Sequence, residues 1–268
     1  MEADKFSAES IENGLSTRFV GRELYFFDSL PTTMVVADSK ANEGAPDGAA
    51  VVADHQTAGR GRFDRTWITA RGASIAVSII LRPRAEELPK MHMIASLAVA
   101  RSIEEACGLS PRIKWPNDVL IGGKKVSGIL LTSTFQGDKL GHANMGIGIN
   151  VNLDRRTLEE INPPATSLSA ELGRPVSRLK VFCALMSALE DLYLLMREGG
   201  DILAKWRPYL LTLGQQVRVQ WRREDLAGYV EEGYAEDVDR DGRLVLRLAD
   251  GSRKTLSSGE VTLHSQGP

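Results

Sequence analysis

The segment at residues 59–67, GRGRFDRTW, holds three arginines interleaved with two glycines and closed by a tryptophan. The planar guanidinium of arginine grips carboxylate or phosphate groups with paired hydrogen bonds, and glycine lets the backbone approach a ligand closely. The pattern therefore predicts a loop that wraps an anion. It does not match the dinucleotide fingerprint, because Asp64 stands where the third glycine belongs. On residue types alone, a basic loop that contacts nucleic acid and a solvated surface loop both remain open.

A second segment, KWPND at residues 114–118, combines a cation, an aromatic ring and a carboxylate. Asp118 could help to hold a divalent cation beside nucleotide phosphates. The alternative is a structural turn around a buried tryptophan, because proline favours an extended conformation in the residue before it and Asn117 favours a turn. The segment alone does not decide between these two interpretations.

A third segment, GGKKVSGIL at residues 122–130, places a lysine pair between two glycines and an apolar run. A lysine at the start of a strand can stabilise the negative charge that develops when a carboxylate is adenylated. A hairpin turn with solvated lysines is the alternative. A phosphate-binding P-loop is excluded, because Asp118 stands at the position of its first glycine and Lys125 at the position of its hydroxyl residue.

Composition and charge narrow the function classes further. The 268 residues carry 33 Lys+Arg and 35 Asp+Glu, a formal charge of −2, whereas obligate nucleic-acid binders usually have a basic excess. No apolar run reaches the length of roughly 18 residues that a membrane span needs. The two cysteines, Cys107 and Cys183, are predicted to be small core residues without a disulfide, which favours the cytoplasm. None of the four histidines has a cysteine or histidine partner at the spacing of a metal site; they are His55, His92, His142 and His264.

These segments need a scaffold, which the hydrophobic pattern predicts to be a mixture of strands and helices. The predicted strands are residues 23–28, 49–55, 73–83, 111–115, 125–135 and 143–152. The predicted helices are residues 34–43, 89–107, 178–197 and 201–211. After Gly214, short strands separated by Asp-Gly turns predict a small all-β module. Residues 1–22 are polar, which predicts a tail or a short capping element.

The three segments in this order, followed by GIGINVN at residues 146–152 and by the β module, resemble the biotin protein ligases, also called biotin–[acetyl-CoA-carboxylase] ligases. The resemblance covers residues 23–264. It implies an α+β fold, with a mixed, largely antiparallel sheet and packed helices at residues 23–213 and an SH3-like β-barrel at residues 214–264. The sheet type comes from the resemblance, because the periodicity does not decide it.

The resemblance implies an enzyme that works in two steps. Biotin and ATP, with Mg²⁺, give biotinyl-5′-AMP and pyrophosphate, and the biotinyl group is then transferred to a lysine of a biotin carboxyl carrier domain of acetyl-CoA carboxylase or a related carboxylase. Two anions meet in the first step, which is why cationic side chains suit it. A cytoplasmic enzyme that contacts neither nucleic acid nor membrane is expected, and the resemblance leaves a monomer and a homodimer open.

The roles of the family's residues transfer only to positions where the motifs match. The resemblance implies that Lys125, Arg60 and Arg62 are catalytic, with Lys125 on the reacting carboxylate and α-phosphate and Arg62 retaining the adenylate. The implied biotin-binding residues are Thr32, Thr33, Met34, Gln56, Gly59, Arg60, Gly61, Arg62, Lys125 and Gly128. The implied nucleotide-binding residues are Arg62, Arg65, Trp67, Asn117, Asp118 and Asn150. No residue is assigned as a resident metal ligand, and Mg²⁺ is expected to arrive with the ATP phosphates.

Two positions depart from the family pattern. The PTTM sequence at residues 31–34 replaces a Ser-Thr-Asn whose side chains hydrogen-bond the biotin ureido ring. Thr33 is therefore expected to keep a hydroxyl contact, while Met34 lacks the amide. Phe63 and Asp64 replace small and basic residues inside the arginine-rich loop, although the spacing of the arginines survives.

Three other functions are weighed against this one. Lipoate–protein ligases and octanoyltransferases share the ligase fold, but the Arg-Arg-x-x-Gly-Gly-Gly segment typical of lipoate ligases is absent. A non-catalytic protein that sequesters biotin or the carrier is disfavoured by the retained Arg60, Arg62 and Lys125. A ligase that also represses transcription would need a winged helix-turn-helix of roughly 60 residues before the first strand. Only about 22 residues precede that strand, so no DNA binding is expected.

Overall fold

The computed structural model describes residues 6–159, 161, 164–221 and 229–263, so His264 lies outside the described residues. The first seven strands are β1 Leu24–Leu30, β2 Ala50–Gln56, β3 Ser74–Leu81, β4 Arg112–Lys114, β5 Asp118–Ile121, β6 Lys124–Gln136 and β7 Lys139–Asn150. They form one sheet in the order β1-β2-β3-β7-β6-β5-β4. The β1–β2 pair is parallel and the other neighbouring pairs are antiparallel, so the predicted mixed, largely antiparallel sheet is confirmed.

Helices cover both faces of this sheet. They are α1 Ala8–Gly14, α2 Thr33–Asn42, α3 Met91–Cys107, α4 Arg155–Glu159, α5 Leu168–Leu172, α6 Arg178–Arg197 and α7 Ile202–Trp206. The long helices α3 and α6 pack together and bury one face of the sheet, including Val52, Ile79 and Ile147. Helix α2 packs on the opposite face, over Val51 and Ile80. The fold is therefore a sheet between two helical layers, and its largely antiparallel pairing agrees with the expected α+β class.

Local sequence signals account for the ends of the two long helices. Helix α3 is followed by Gly108, which has a φ of 67° that suits the left-handed cap position of glycine. The hydroxyl of Ser177 accepts a hydrogen bond from the backbone N–H of Lys180 and caps the start of α6. Both bounds of α6 agree with the sequence prediction, whereas α3 begins two residues late because Ala85–Lys90 forms a 3₁₀ helix.

The structure differs from the sequence prediction in several regions. Residues 153–177, for which no element was predicted, contain the short helices α4 and α5. The helix predicted at residues 201–211 ends at Trp206 and is followed by a 3₁₀ helix at Arg207–Tyr209. Strand β5 was not predicted, because a four-residue strand is too short to establish a period. Its hairpin with β6 turns at Gly122 and Gly123, whose φ values of 56° and 78° suit a tight hairpin turn that glycine favours.

The C-terminal part of the chain forms a second, smaller sheet. Its strands are β8 Gln216–Gln220, β9 Val230–Val238, β10 Leu244–Arg247, β11 Arg253–Leu256 and β12 Glu260–Leu263. They pair antiparallel in the order β11-β10-β9-β8-β12, which matches the strand content expected of the SH3-like module. The short strands predicted after Gly214 are thus present among the described residues. The predicted domain boundaries, 1–22, 23–213 and 214–264, remain predictions.

The two ends of the described chain pack against the central domain. Helix α1 buries Ile11 and contacts α6 and β1. In the C-terminal module, the carbonyl of Gly242 accepts a 2.8 Å hydrogen bond from the indole Nε1 of Trp115.

Cys107 and Cys183 are unpaired and half-buried, and burial raises the pKa of both thiols. None of the described helices is long and apolar enough to cross a membrane.

Candidate active site

A cavity of about 140 Å³ opens on the face of the sheet that α2 only partly covers. Its walls are the start of α2, the arginine-rich loop at residues 59–67, the strands β6 and β7, and the turn before β12. The predicted site residues that line it are Thr32, Thr33, Met34, Gln56, Arg60, Gly61, Arg62, Arg65, Trp67, Asn117, Asp118, Lys125 and Gly128. Two predicted residues, Gly59 and Asn150, do not line it. The three sequence segments thus meet at one place.

The arginine-rich loop is closed by its own backbone. The N–H of Gly61 donates to the carbonyl of Arg65 at 2.7 Å, and the N–H of Trp67 donates to the carbonyl of Gly59 at 2.9 Å. Phe63 at the tip has a φ of 57°, which is uncommon for a residue with a side chain. A Cβ atom on Gly59 would overlap the carbonyl of Trp67, so this position requires glycine. Gly59 therefore shapes the loop rather than facing the cavity.

Trp67 forms the floor of the cavity beside two glycines. A Cβ atom on Gly148 would overlap the indole ring, and one on Gly128 would lie 3.1 Å from indole Cζ3. Gly148 and Gly128 are opposite each other on β7 and β6, so the missing side chains let the ring lie directly on the sheet. The indole Nε1 is buried without a hydrogen-bond partner among the described residues.

Lys125 reaches the cavity because strand β6 contains a bulge. In a regular strand Lys125 and Gly128 would face opposite sides, since they are three residues apart. The register with β5 shifts between Val119 and Leu120, which leaves Val126 without an opposite residue. This shift turns Lys125 to the face of Gly128, where its Nζ lies 3.2 Å from the position that a Cβ atom would take.

A carboxylate holds the lysine in this position. Asp118 lies opposite Gly128 on β5, and its Oδ1 is 2.6 Å from the Nζ of Lys125. Its other oxygen is 3.7 Å from the Nζ of Lys114, a second lysine of the KWPND segment that also lines the cavity. The hypothesis that the segment is a turn around a buried tryptophan holds as well, because Trp115 is almost fully buried. The KWPND segment therefore contributes a buried tryptophan to the core and a lysine and a carboxylate to the cavity.

Arg62 connects the loop to the KWPND segment and to the C-terminal module. Its Nη1 donates to Asn117 Oδ1 at 2.7 Å and to the carbonyl of Gly259 at 3.4 Å. Burial lowers the pKa of the Arg62 guanidinium below its ordinary value, and the carboxylates of Asp118 and Glu260 oppose this shift. Arg65 in turn donates to the carboxylate of Glu260. The module thus contributes to the wall of the cavity.

The end of the cavity away from Arg62 and Lys125, beside α2 and β2, is lined by uncharged side chains. Gln56 Oε1 accepts hydrogen bonds from the backbone N–H of Thr33 at 2.8 Å and from its hydroxyl at 3.1 Å, and Ser78 donates to that hydroxyl at 2.8 Å. The hydroxyl donor of Thr33 is therefore used inside the protein. Among the described residues, no acceptor pairs with the side-chain amide nitrogen of Gln56. Met34 packs its thioether against Gly146, which has no side chain to displace it.

Asn150 lies at the end of β7, on the same side of the sheet as the cavity but outside its lining. Its Nδ2 donates to the carbonyl of Thr166 at 3.0 Å. Its Oδ1 is buried and has no hydrogen-bond partner among the described residues.

Sequence reasoning missed several residues that the fold brings to the cavity. Gly146 and Gly148 could have been found, because alternating glycines in an apolar strand indicate a close approach to one face. Gly259 and Glu260 gave no such signal, because they lie far along the chain in a turn of ordinary composition. Lys114 was part of a recognised segment but was not assigned to the site.

The arrangement suits a ligand with an anionic part and a neutral part. Arginines and lysines from the loop, from KWPND and from β6 gather at one end, and such groups bind and stabilise carboxylates and phosphates. Hydroxyl, amide and thioether groups from α2 and β2 line the other end. Two anions that enter the cationic end together would be held close enough to react.

Comparisons with known proteins agree with this arrangement. The sequence pattern of the Biotin/lipoate A/B protein ligase family matches residues 26–150, and that of the Biotin protein ligase C terminal domain matches residues 212–263. The first match contains the segments 59–67 and 114–118 and most of the sheet, and the second contains the five-stranded module.

Two curated relatives match over most of their length. The chain is 36% identical over 259 residues to the bifunctional ligase/repressor BirA of Bacillus subtilis, covering 95% of this chain and 78% of that protein. It is 33% identical over 231 residues to the biotin–[acetyl-CoA-carboxylase] ligase of Paracoccus denitrificans, covering 83% of this chain and 93% of that protein. Among solved structures, a biotin protein ligase from Aquifex aeolicus in complex with biotin and ATP matches with a TM-score of 0.74. That match is 28% identical and covers 91% of this chain and 99% of that chain.

Proposed function

This chain belongs to the biotin protein ligase family, and we propose that its cavity carries out that family's two steps on biotin, ATP and a carrier lysine. Biotin is first activated to biotinyl-5′-AMP, and the biotinyl group then passes to an acceptor lysine. The observation that carries this proposal is the cavity with one cationic and one neutral end. Biotin has matching parts, since its carboxylate lies at one end and its neutral ureido ring at the other.

In the first step, a carboxylate oxygen of biotin attacks the α-phosphorus of ATP, and pyrophosphate leaves with the electrons of the broken P–O bond. We assign the stabilisation of the developing charge to Lys125. Its ammonium is fixed by Asp118 at 2.6 Å and lies over Gly128, where no side chain separates it from a ligand. A fixed cation in a half-buried site stabilises the transition state without having to reorganise during the reaction.

The arginine-rich loop is assigned to the anions and to retention of the adenylate. Arg60 and Arg62 face the carboxylate and the phosphates, and the backbone at Gly61 allows close approach. Arg65 and Asn117 belong to the nucleotide side, where the indole of Trp67 forms a flat apolar wall. Because Arg62 also bonds to Asn117, the loop and the KWPND segment close the cavity together and keep the mixed anhydride from water.

The neutral end is assigned to the ureido ring of biotin. The side-chain amide of Gln56 and the hydroxyl of Thr32 are the donors that remain for a ligand there. Thr33 offers its remaining acceptor capacity, since its donor is held by Gln56. Met34 gives an apolar contact against Gly146, and this replaces the amide that the family pattern carries at that position.

Mg²⁺ is proposed to accompany ATP rather than to occupy a resident site. The described residues contain no cluster of three or more metal-ligating side chains. Asp118 and Glu260 are the described carboxylates that line the cavity, and both are ion-paired. This donor set fits an ion that would be held mainly by phosphate oxygens, and Asp118 would be the protein carboxylate that helps to hold it. When bound, Mg²⁺ would neutralise phosphate charge and favour pyrophosphate as a leaving group.

In the second step, the uncharged ε-amine of the acceptor lysine attacks the biotinyl carbonyl and AMP leaves. An amide bond forms, and the amine loses a proton. The acceptor is proposed to be the carrier domain of acetyl-CoA carboxylase, the enzyme named for the relative in Paracoccus denitrificans.

The direct test is transfer of biotin to a purified biotin carboxyl carrier domain, with ATP and Mg²⁺, measured as a mass increase on the acceptor lysine. Lipoate and octanoate run as parallel substrates, and a carrier with Lys→Arg at the acceptor position is the matched control. We expect biotinylation that requires ATP and is absent from the control. Labelling by lipoate in place of biotin would show that the protein is a lipoate–protein ligase. Binding of biotin without transfer would favour a sequestering protein.

We further propose that this chain does not bind DNA by itself and works in the cytoplasm. Its formal charge of −2 lacks the basic excess of a DNA binder. Two arginines of the basic loop, Arg62 and Arg65, contact Asn117 and Glu260. The cysteines are free thiols, which fits a reducing compartment. A salt-sensitive shift of operator DNA in a gel would contradict the first part.

A further inference from the structure

Helix α2 forms part of the uncharged end of the cavity, but it buries little apolar surface of its own. Its start lines the cavity with Thr32, Thr33 and Met34. The apolar residues that it buries fully are the small Ala37 and Ala41, whereas α3 and α6 bury many long apolar side chains. Because a methyl group removes little apolar area from water, the position of α2 on the sheet depends strongly on polar contacts.

Two of these polar contacts hold the ends of α2. At the start, the N–H and the hydroxyl of Thr33 donate to Gln56. At the other end, the guanidinium of Arg82 donates to the carbonyls of Ala41 and Ala45, each at 2.9 Å. Backbone carbonyls lie close to the helix axis, so the Arg82 contact resists rotation of the helix less than a side-chain contact does.

Asp38 makes a side-chain contact in the middle of α2. Its Oδ1 lies 2.9 Å from Nε2 of His142, and the imidazole nitrogen is the donor because a carboxylate only accepts. The hydroxyl of Thr134 and Nδ2 of Asn144 donate to the same oxygen at 3.4 Å and add weaker contacts. These partners belong to β6 and β7, so Asp38 connects the helix to both strands.

The main partners of Asp38 are buried, although Asp38 itself is half-exposed. The exposed fractions of His142 and Asn144 are only 3% and 2%. A buried N–H donor that has no acceptor lowers the stability of the folded state. The carboxylate of Asp38 therefore satisfies donors that would otherwise be buried and unpaired beneath α2.

Asp38 and Met34 are four residues apart on α2, so they face the same side of the helix. The thioether of Met34 packs over Gly146. Asn144 and His142 alternate with Gly146 along β7 and face the same side of the sheet. A rotation of α2 that breaks the Asp38 contact would therefore also move Met34 away from Gly146 and displace the start of the helix.

From these contacts we infer that Asp38 is a positioning residue for biotin binding, which acts by fixing the orientation of α2 through His142. The inference rests on the proposed function, because it assumes that the ureido ring of biotin occupies the uncharged end of the cavity. Asp38 itself does not line the cavity, so its effect passes through the helix. When only a fraction of the molecules holds α2 in this orientation, the apparent affinity for biotin falls by that fraction.

The primary test is the Kd of biotin without ATP, measured by isothermal titration calorimetry. Asp38→Ala should raise this Kd about tenfold, because the helix loses a hydrogen bond to a charged group. Asp38→Asn keeps an acceptor oxygen for His142 and should bind biotin within about twofold of the wild type. Glu43→Ala is the matched control, since Glu43 is an exposed carboxylate at the end of α2 that pairs with Ser39 and Lys40, and its Kd should not change.

Kinetics separate positioning from a direct catalytic role. In biotin-dependent ATP–pyrophosphate exchange, Asp38→Ala should raise the KM for biotin, while kcat and the KM for ATP stay within about twofold of the wild type. His142→Leu should have the same effect. The double variant should be no weaker than either single variant, because removing both partners leaves no unpaired buried donor.

Four outcomes would overturn the inference. They are an unchanged Kd in Asp38→Ala, no recovery of affinity in Asp38→Asn, an equal rise in the KM for ATP, and additive losses in the double variant. Each would show that Asp38 does not act on biotin through its contact with His142.

Amide hydrogen exchange tests the anchor independently of biotin. In Asp38→Ala, the amides of α2 should exchange faster, because a helix of ten residues depends on its packing, while the amides of β3 stay protected. Unchanged protection of α2 would refute the anchor even in an active enzyme. If the wild-type protein formed no biotinyl adenylate, the proposed function would fail, and the exchange result would still decide whether Asp38 anchors the helix.

Discussion

At the scale of single residues, the chemistry of this protein depends on cations that are held by specific partners. Lys125 is ion-paired with Asp118 and Arg65 with Glu260, and Arg62 donates a hydrogen bond to Asn117. Fixed charges are more effective in catalysis than mobile ones, because they need no reorganisation when charge develops. Removing one of them should therefore affect the reaction more than it affects folding.

Lys125→Ala should lower the rate of biotin-dependent ATP–pyrophosphate exchange by roughly 10²–10³, the usual loss when one electrostatic stabiliser is removed. The fold should persist, because the lysine side chain is partly exposed and Asp118 keeps Lys114 as a partner. The neighbouring residue Lys124, which is the exposed first residue of β6, supplies the matched control Lys124→Ala. Exchange close to the wild-type rate in Lys125→Ala would refute the assignment.

Arg62→Gly should release biotinyl-5′-AMP into solution, because the loop loses its contacts with Asn117 and Gly259. The free mixed anhydride would then acylate lysines of any protein present. The measurement is biotin labelling of a mixture of the carrier domain and an unrelated protein. Arg71→Gly, at an exposed arginine outside the loop, is the control. Labelling that stayed confined to the carrier would show that Arg62 does not retain the adenylate.

At the scale of elements, two positions of the sheet without side chains make room for the site. Gly128 and Gly148 are opposite each other on β6 and β7, and Trp67 lies on the gap that they leave. The bulge in β6 then places Lys125 beside this ring, 5.7 Å from Nζ to the ring centroid. A strand with regular alternation and ordinary side chains would have neither the floor nor the lysine.

Gly148→Ala should displace the indole of Trp67, because the added methyl group would overlap the ring. Overpacking of this kind costs about 1–3 kcal/mol. We expect the KM for ATP to rise and the tryptophan fluorescence response to nucleotide to weaken, as measured by titration. Gly141→Ala in the same strand is the milder control, since its Cβ would make one tight contact, 3.3 Å from the carbonyl oxygen of Thr134, and would not overlap a ring. Equal nucleotide binding in both variants would argue against Trp67 as the floor.

At the scale of the whole molecule, the C-terminal module docks on the catalytic domain through a buried turn. Gly242 accepts a hydrogen bond from Trp115, and a Cβ atom at Gly242 would lie 2.7 Å from Nε2 of His92. The imidazole of His92 packs edge-on against the indole of Trp206, and its Nε2 atom is buried. Burial lowers the pKa of His92 from 6.5 to about 4.

This shift predicts a pH dependence of stability. Because the folded protein binds the proton on His92 more weakly than the unfolded chain does, the free energy of unfolding is highest above pH 6.5. It should fall as the pH drops from 6.5 to about 4, by an amount on the order of 3 kcal/mol. The measurement is the urea midpoint at pH 5 and pH 7.5.

His92→Gln should remove that part of the pH dependence, while His55→Gln should keep the wild-type profile. The difference between the two variants isolates His92 from the carboxylates that titrate in the same range. An unchanged pH profile in His92→Gln would show that the buried imidazole does not set the acid limit of stability.

Contiguous residues were sufficient to predict the parts of this protein that form through local interactions. Helix α6 and the Gly108 cap of α3 follow from local periodicity and capping. The segments 59–67, 114–118 and 122–130 each carry their chemistry within a few residues, so the types of the site residues were visible before any fold was known.

Which of those residues face the cavity depends on contacts between distant parts of the chain. The bulge at Val126 reverses the side of the sheet that Lys125 faces, and strand periodicity alone predicts the wrong side. Arg62 and Gly259 are 197 residues apart, so their contact depends on how the module docks. Asn150 matched a motif yet contacts Thr166 instead of lining the cavity. Local sequence cannot determine such contacts, because long-range packing selects one register and one docking from several that the same residues allow.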